Sequence, residues 1–399
     1  MFAGATRRNV FVLAVCQALN ATALTLMIAS SALTGQLLSG DEAYATLPLG
    51  LQFLVALMTT FPVSYLMRHY GRRWGFALGA ATGALGGFIM MRAVFDASFG
   101  LFCVGNALIG VQQATAQFYR FAAADTADER FKGKAISLVL AGGVVAALVG
   151  PELAKWSRLL FSAAEFAGCF AVVMALAVAT VIIVQFVRIA RPTEAELIER
   201  GRDWGELLRQ PTLIVAVAGG MIGYGTMTLV MTSTPLAMVH NHHEFNDAAF
   251  VIQWHVLGMF VPSFFTGFLI QRFGVVNVIL TGFALLAACV ATNLTGTTVP
   301  QFWAALALLG VGWNFAFVGS STLLTETYRP AERARVQALN DLMLGIAITG
   351  ASFSSGWLHG HLGWRAVNLG VVLPLAMASL AMLWLRSRRA NAAAVRPAE

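Results

Sequence analysis

The sequence is 399 residues long, 58% hydrophobic and only 11% charged, with a mean hydropathy of +0.72. A soluble domain carries about 25% charged residues, so lipid rather than water must be the main solvent of this chain. The formal charge of +7 does not point to nucleic acid, because the basic residues form short clusters between apolar runs and no continuous stripe.

Arg7 and Arg8 precede an apolar run from Phe11 to Leu38. The run is too long for the apolar region of a signal peptide and reads as a spanning helix. Eleven further runs of roughly 20 residues start near Tyr44, Trp74, Phe99, Ala135, Ala164, Thr212, Ala249, Val275, Gln301, Val336 and Trp364. Phe95-Asp96-Ala97-Ser98 reads as a tight hairpin between spans 3 and 4. Cys16, Cys103, Cys169 and Cys289 each lie inside an apolar run without metal-ligand spacing. They read as packing residues, and no cofactor or metal is expected.

Lys and Arg fix the expected orientation. With the N-terminus in the cytoplasm, twenty-one of the 26 basic residues fall on cytoplasmic segments. Lys155, Arg158 and Arg365 fall on the other side, and Arg92 and Arg120 fall within spans. That asymmetry requires an even number of spans and places both termini in the cytoplasm. Compact loops suggest a bacterial inner membrane.

The stretch from Arg188 to Pro211 mixes both charge signs and could hold an amphipathic helix. It divides the chain into a six-span unit at 1–190, a linker at 191–211 and a second six-span unit at 212–399. The units resemble each other at a spacing of 201–203 residues. Thr25–Ser31 aligns with Thr228–Thr234, and Ser64–Gly71 with Gly267–Gly274. The loop with Asp125, Arg130 and Lys134 matches that with Glu326, Glu332 and Arg335. The expected fold is therefore all-α integral membrane: twelve transmembrane helices in two pseudo-symmetric six-helix bundles. The repeat axis lies along the membrane normal, an arrangement that puts a solute site between the halves.

Between spans 2 and 3 the chain reads Ser64-Tyr65-Leu66-Met67-Arg68-His69-Tyr70-Gly71-Arg72-Arg73. This resembles the Gly-x-Leu-x-Asp-Arg-x-Gly-Arg-Arg/Lys motif of the major facilitator superfamily, and the resemblance covers the whole chain. Ser64 stands for the first Gly and Arg68 for the acid; in the second copy Gln271 stands at the acid position. The resemblance implies gating roles for Arg68, Gly71, Arg72 and Arg73. Gly142 and Gly150-Pro151 in span 5 are similar to the motif of proton-driven drug antiporters in that superfamily. The resemblance then gives Gly150 and Pro151 a gating role too. Asn106 stands where those antiporters have an Arg in span 4, although Gly110 matches. Arg68 in place of the family acid suggests a charge-swapped gate with Asp341 of span 11.

Polar groups inside hydrocarbon cost several kcal/mol unless satisfied, so they mark candidate sites. Gln113, Gln117 and Arg120 follow i, i+4, i+7 and share one face of span 4. The resemblance implies that spans 1, 4, 7 and 10 line the cavity. Arg120 either binds an anionic or carbonyl-bearing solute, or snorkels to headgroups or pairs with Asp125. Asn314, beside Trp313 in span 10, matches Gln113 at the repeat offset. Either both amides hold substrate or each bonds within its own half. Asn20 and Tyr224 are further cavity candidates. Phe118, Phe121 and Trp313 would favour an apolar or aromatic solute.

Proton-coupling candidates are His255, Glu152 and Asp341, with Glu165 also near a span end. His240, His242 and His243 form a His-Asn-His-His run that reads as a solvated loop. No phosphate-binding loop, metal cluster or enzyme signature occurs. The expected function is secondary active transport of a small organic solute by alternating access. Proton coupling, a monomer and export are favoured. The alternatives are uptake of an anionic or aromatic metabolite, or a non-transporting membrane sensor on the same fold.

Overall fold

The computed structural model describes residues 2–126, 135, 138–139, 141–189, 202–329 and 332–394. Among them are helices and turns but no strand. The first half holds α1 (Phe2–Ser39), α2 (Leu47–Tyr70), α3 (Arg72–Phe95), α4 (Phe99–Ala116, continued as Tyr119–Asp125), α5 (Gly142–Ser157) and α6 (Ala167–Ile183). The second holds α7 (Pro211–His240), α8 (Phe245–Phe260, continued as Ser263–Phe273), α9 (Val275–Thr295) and α10 (Val299–Thr325). The helix Arg333–Gly370 breaks at Gly363, where φ is +78°. The part before the break is α11; the part after it, with Val372–Ala394, is α12.

Nine described helices are long and apolar enough to cross a membrane, and the bent pair of α8 makes ten. One of the nine is the stretch Arg335–Asn391, which Gly363 divides into two spans. With α5, whose described part is 16 residues long, the spans number twelve. The 46° bend in α8 falls at Val261-Pro262. Proline lacks the N–H that would continue the helical ladder.

The halves pack alike. In the first, α1 lies on α5 and α6, α4 on α2 and α3, and α3 on α6. In the second, α7 lies on α11 and α12, α10 on α8 and α9, and α9 on α12. Gly71 (φ +92°, ψ 153°) joins α2 to α3, and Gly274 (φ +83°, ψ 146°) joins the equivalent pair, α8 and α9. Only glycine populates this region readily. The backbone therefore accounts for the shared motif glycine. Gly110 and Gly310 are equivalent too. A Cβ on Gly110 would stand 2.3 Å from the Gln52 carbonyl oxygen, and one on Gly310 would stand 2.3 Å from that of His255. With no hydrophobic drive between helices in lipid, such close backbone approach is what holds them together.

The halves meet through α2 on α11, α5 on α8 and α1 on α7. Hydrogen bonds and ion pairs join them on the face away from the termini. There Thr46 Oγ1 donates to the Ser352 carbonyl (2.8 Å) and accepts from Gly356 N–H (2.8 Å). The hydroxyl wedges into one i→i+4 bond of α11. The α2–α11 seam is thus sealed on that face, beside a cavity of about 810 Å³ that Gln36, Arg158, Glu165 and His243 line.

The amphipathic helix expected around 188–211 falls mostly outside the described residues, as do Arg130, Lys134 and the side chain of Asp125. The described end of that stretch contains a one-turn helix, Trp204–Leu207. It is anchored by Arg202, whose Nη2 and Nε donate to the two oxygens of the buried Glu332 at 2.7 and 2.8 Å. The backbone N–H groups of Arg202 and Arg329 donate to the same carboxylate. The Arg202 guanidinium holds the Glu332 carboxyl well below the usual carboxylate range. A depressed pKa contributes stability that is present above the unfolded value, about 4.3, and lost as pH falls through the folded one. Glu332→Gln is expected to lower the melting temperature at pH 7. The gap from wild type should close in melting curves taken progressively below about pH 4.

Candidate functional site

Where α7 meets α10 the second half holds an aromatic cluster. Trp313 and Phe317, one turn apart on α10, stack with centroids 5.0 Å apart and planes at 9°. Tyr224 of α7 meets both rings edge-on, at 5.2 and 5.4 Å. Such pairs add about 0.5–1.5 kcal/mol beyond burial. The indole Nε1 of Trp313 is nevertheless buried without a hydrogen-bond partner. A buried donor usually has one, so this N–H keeps unused hydrogen-bonding capacity.

Opposite stands Arg120 of α4. Its guanidinium lies over the Phe121 ring at 4.8 Å, and its Nε is buried without a hydrogen-bond partner. Its charge acts on Tyr224 and on Asp341 of α11. The Gln113–Gln117–Arg120 face survives a local tightening at Gln117 and Phe118, where Phe118 N–H bonds the Thr115 carbonyl. Gln117 is exposed and Asn20 of α1 half-buried.

The two equivalent amides behave alike, within their own halves. Gln113 Oε1 accepts from Gln52 of α2 at 2.7 Å. Asn314 is fully buried; its Nδ2 donates to the Met259 carbonyl and Ser263, and its Oδ1 accepts from Thr266. These bonds tie α10 to α8 at the bend, where Pro262 leaves carbonyls short of donors. Asn314 therefore spends its amide on α8, which is the within-half bonding that stood as the alternative to substrate contact.

The titratable candidates separate. Glu152 is exposed and pairs with Lys155 at 2.8 Å, a surface pair on α5. Glu165 pairs with Arg158. His255 is sealed between α8 and α10, with Nδ1 against the Leu306 carbonyl at 3.0 Å and Nε2 without a partner. Asp341 is exposed within reach of Arg120's field.

The suggested Arg68–Asp341 gate rests on the Arg68 side chain, which lies outside the described residues. Along the antiparallel α2–α11 pair, Thr46 meets Gly356, Gly50 meets Phe353 and Leu57 meets Gly345. Continuing this register sets Asp341 level with about residue 61. Arg73 bonds Gln185 of its own half, at 3.0 and 3.1 Å. Gly150 serves helix packing: a Cβ there would lie 2.8 Å from Thr25 Cβ of α1. Asn106 is fully buried and bonds Phe102 and Ser31. Arg92, expected inside a span, pairs with Asp96 at the exposed tip of α3. Phe317, which the sequence sets four residues after Trp313 in the same span, joins that ring cluster.

Two alike six-helix bundles packed on each other, with aromatic rings and a guanidinium among their buried groups, have the build of a secondary carrier. The profile of the Major Facilitator Superfamily matches residues 10–252 and 224–399. The chain belongs to that superfamily: it is a multi-pass membrane transporter of small molecules and not an enzyme. It is 42% identical over 395 residues to the riboflavin transporter RfnT of Brucella anthropi, covering 98% of this chain and 99% of that one. It is 28% identical to the uncharacterized transporter YdeG of Bacillus subtilis, covering 96% and 93%. The nucleoside transporter NupG shares the fold at a TM-score of 0.73 with 12% identity, covering 94% of this chain and 99% of that one.

Proposed function

We propose that this protein carries riboflavin, or a closely similar planar heteroaromatic, into the cell. The observation that carries the reading is the near full-length 42% identity to a riboflavin transporter. The cavity chemistry supports it. A flavin ring offers faces to Trp313, Phe317 and Tyr224, and carbonyl oxygens to the Arg120 fork and the Trp313 N–H. Uptake is preferred to export because neither antiporter feature argues for export in this chain. Gly150 is required by its contact with α1, and a buried Asn106 stands in place of that motif's arginine.

We assign the coupling proton to Asp341. Glu152 is tied up at the surface and His255 is enclosed within one half, whereas Asp341 stands in Arg120's field. The basic residues of the termini face support a cytoplasmic placement of both ends in a bacterial inner membrane. The cavity is complete within one chain, which suits a monomer.

The test is uptake of labelled riboflavin by a riboflavin auxotroph lacking its own carrier. Cells with the protein should accumulate label and grow at low external riboflavin. Asp341→Asn should keep counterflow and lose the stimulation by an inward pH gradient. No accumulation, together with no thermal stabilisation of the purified protein by riboflavin, would reject the substrate.

A further inference from the structure

Three side chains from distant parts of the sequence converge on the sealed face. Glu42 sits in the one-turn 3-10 helix Glu42–Tyr44 between α1 and α2, in the first half. His240 ends α7 and His359 lies on the last turns of α11, both in the second half. His240 Nδ1 is 3.2 Å from Glu42 Oε1, and His359 Nε2 is 3.7 Å from Glu42 Oε2. The ligand atoms of all three lie within 4.8 Å of one another. His359 is only 4% exposed, yet neither of its ring nitrogens has a hydrogen-bond partner. Buried polar atoms left unpaired cost about 1–3 kcal/mol each, so this ring is held beside Glu42 and His240 at a cost.

We propose that Glu42, His240 and His359 form a site for zinc, or a similarly borderline divalent cation, that bolts the two halves together on the face away from the termini. Two imidazoles and one carboxylate are a donor set suited to zinc. Zinc bonds of about 2.0–2.2 Å put tetrahedral donors about 3.3 Å apart, and the His240–Glu42 pair is already at 3.2 Å. The remaining contraction, between the two imidazoles and from 3.7 Å between His359 and Glu42, falls on the Glu42 and His240 side chains, which are 26% and 63% exposed. A solvent molecule or a solute would complete the fourth position. His243 is not part of the site, because its Nε2 meets the Thr297 carbonyl at 2.6 Å.

The consequence is regulatory. The first half supplies one ligand and the second supplies two, so the full site exists only while this face is closed. A ligand that binds one conformation draws the population toward it. Zinc arriving from the far side would hold the carrier in this state and slow its cycle.

The experiment is thermal unfolding of the purified full-length chain against free zinc chloride, with no transported solute present. Its result is therefore independent of the riboflavin assignment. Zinc at micromolar levels should raise the melting temperature. His240→Ala removes an exposed ligand and should weaken the zinc response by more than about 100-fold, since even losing a residue behind a ligand costs about 10–100-fold. Glu42→Gln should do the same if the metal bridges the halves, while the neighbouring His242→Ala should respond like wild type. No shift in wild type, or an equal shift in His240→Ala, would remove the site. A full response in Glu42→Gln would remove the bridge.

Discussion

Arg120→Gln is expected to raise the KM for riboflavin uptake about 30-fold while leaving the folded yield unchanged. A hydrogen bond to a charged group contributes about 1.5–3 kcal/mol, and roughly 2 kcal/mol is about a 30-fold change in affinity. The yield should survive because the contact Arg120 makes in this state is with the Phe121 face, worth about 0.5–1 kcal/mol where solvent reaches it. Arg120→Lys separates two causes. Lysine keeps the charge but cannot present the planar fork, so it should fall between wild type and glutamine if carbonyl recognition matters. Initial uptake rates across substrate concentration measure all three. Three identical KM values would mean that Arg120 only snorkels. Removing Arg120 also frees Asp341 from its field, so the pH dependence of uptake should shift in the same variant.

The span pattern was readable because its cause is one-dimensional. Lipid demands about 20 apolar residues per crossing, and most of the expected starts fall within a few residues of the described helices. Gly363, which separates α11 from α12, shows its role only in its backbone angle. The repeat was legible in the motif pair because Gly71 and Gly274 answer one backbone requirement. Site chemistry was legible by residue type and not by direction. Gln113 and Asn314 sit at matched positions, yet whether an amide faces cavity or neighbour depends on which partner stands one helix away. For Asn314 that partner was created by the bend at Pro262, in the preceding part of the chain. The Arg68–Asp341 pairing was read from charge alone. Opposite charges on two helices say nothing of register, which the contacts of Thr46, Gly50 and Leu57 with α11 set. The histidine cluster misled in the same manner. The run read as a solvated loop, and what it hid was distance in sequence: the fold brings His240 to His359 and Glu42.

Gly360→Val is expected to lower turnover at least tenfold by preventing closure of the face away from the termini. A Cβ at Gly360 would stand 2.6 Å from Ala43 N and 2.9 Å from Ala43 Cα. Carbon contacts settle near 3.5–4.0 Å, and the obstructing atoms are backbone, which no rotamer change can move. The halves must then separate by about 1 Å at this point. That separation breaks the Thr46 hydroxyl's two bonds to α11 and leaves buried groups unpaired at about 1–3 kcal/mol. Each 1.4 kcal/mol is about tenfold in a population, so the sealed state becomes the minor one. Gly350→Val on the same helix is the control, because a Cβ there meets nothing within 4 Å. A single cysteine at Ala45, which is fully buried in the seal, provides the readout in a background lacking Cys16, Cys103, Cys169 and Cys289. A membrane-impermeant thiol reagent should label it readily with Gly360→Val and slowly with Gly350→Val. Equal labelling and equal transport in the two would mean that this contact does not set the closed state, and that alternation is governed from the opposite end of the bundle.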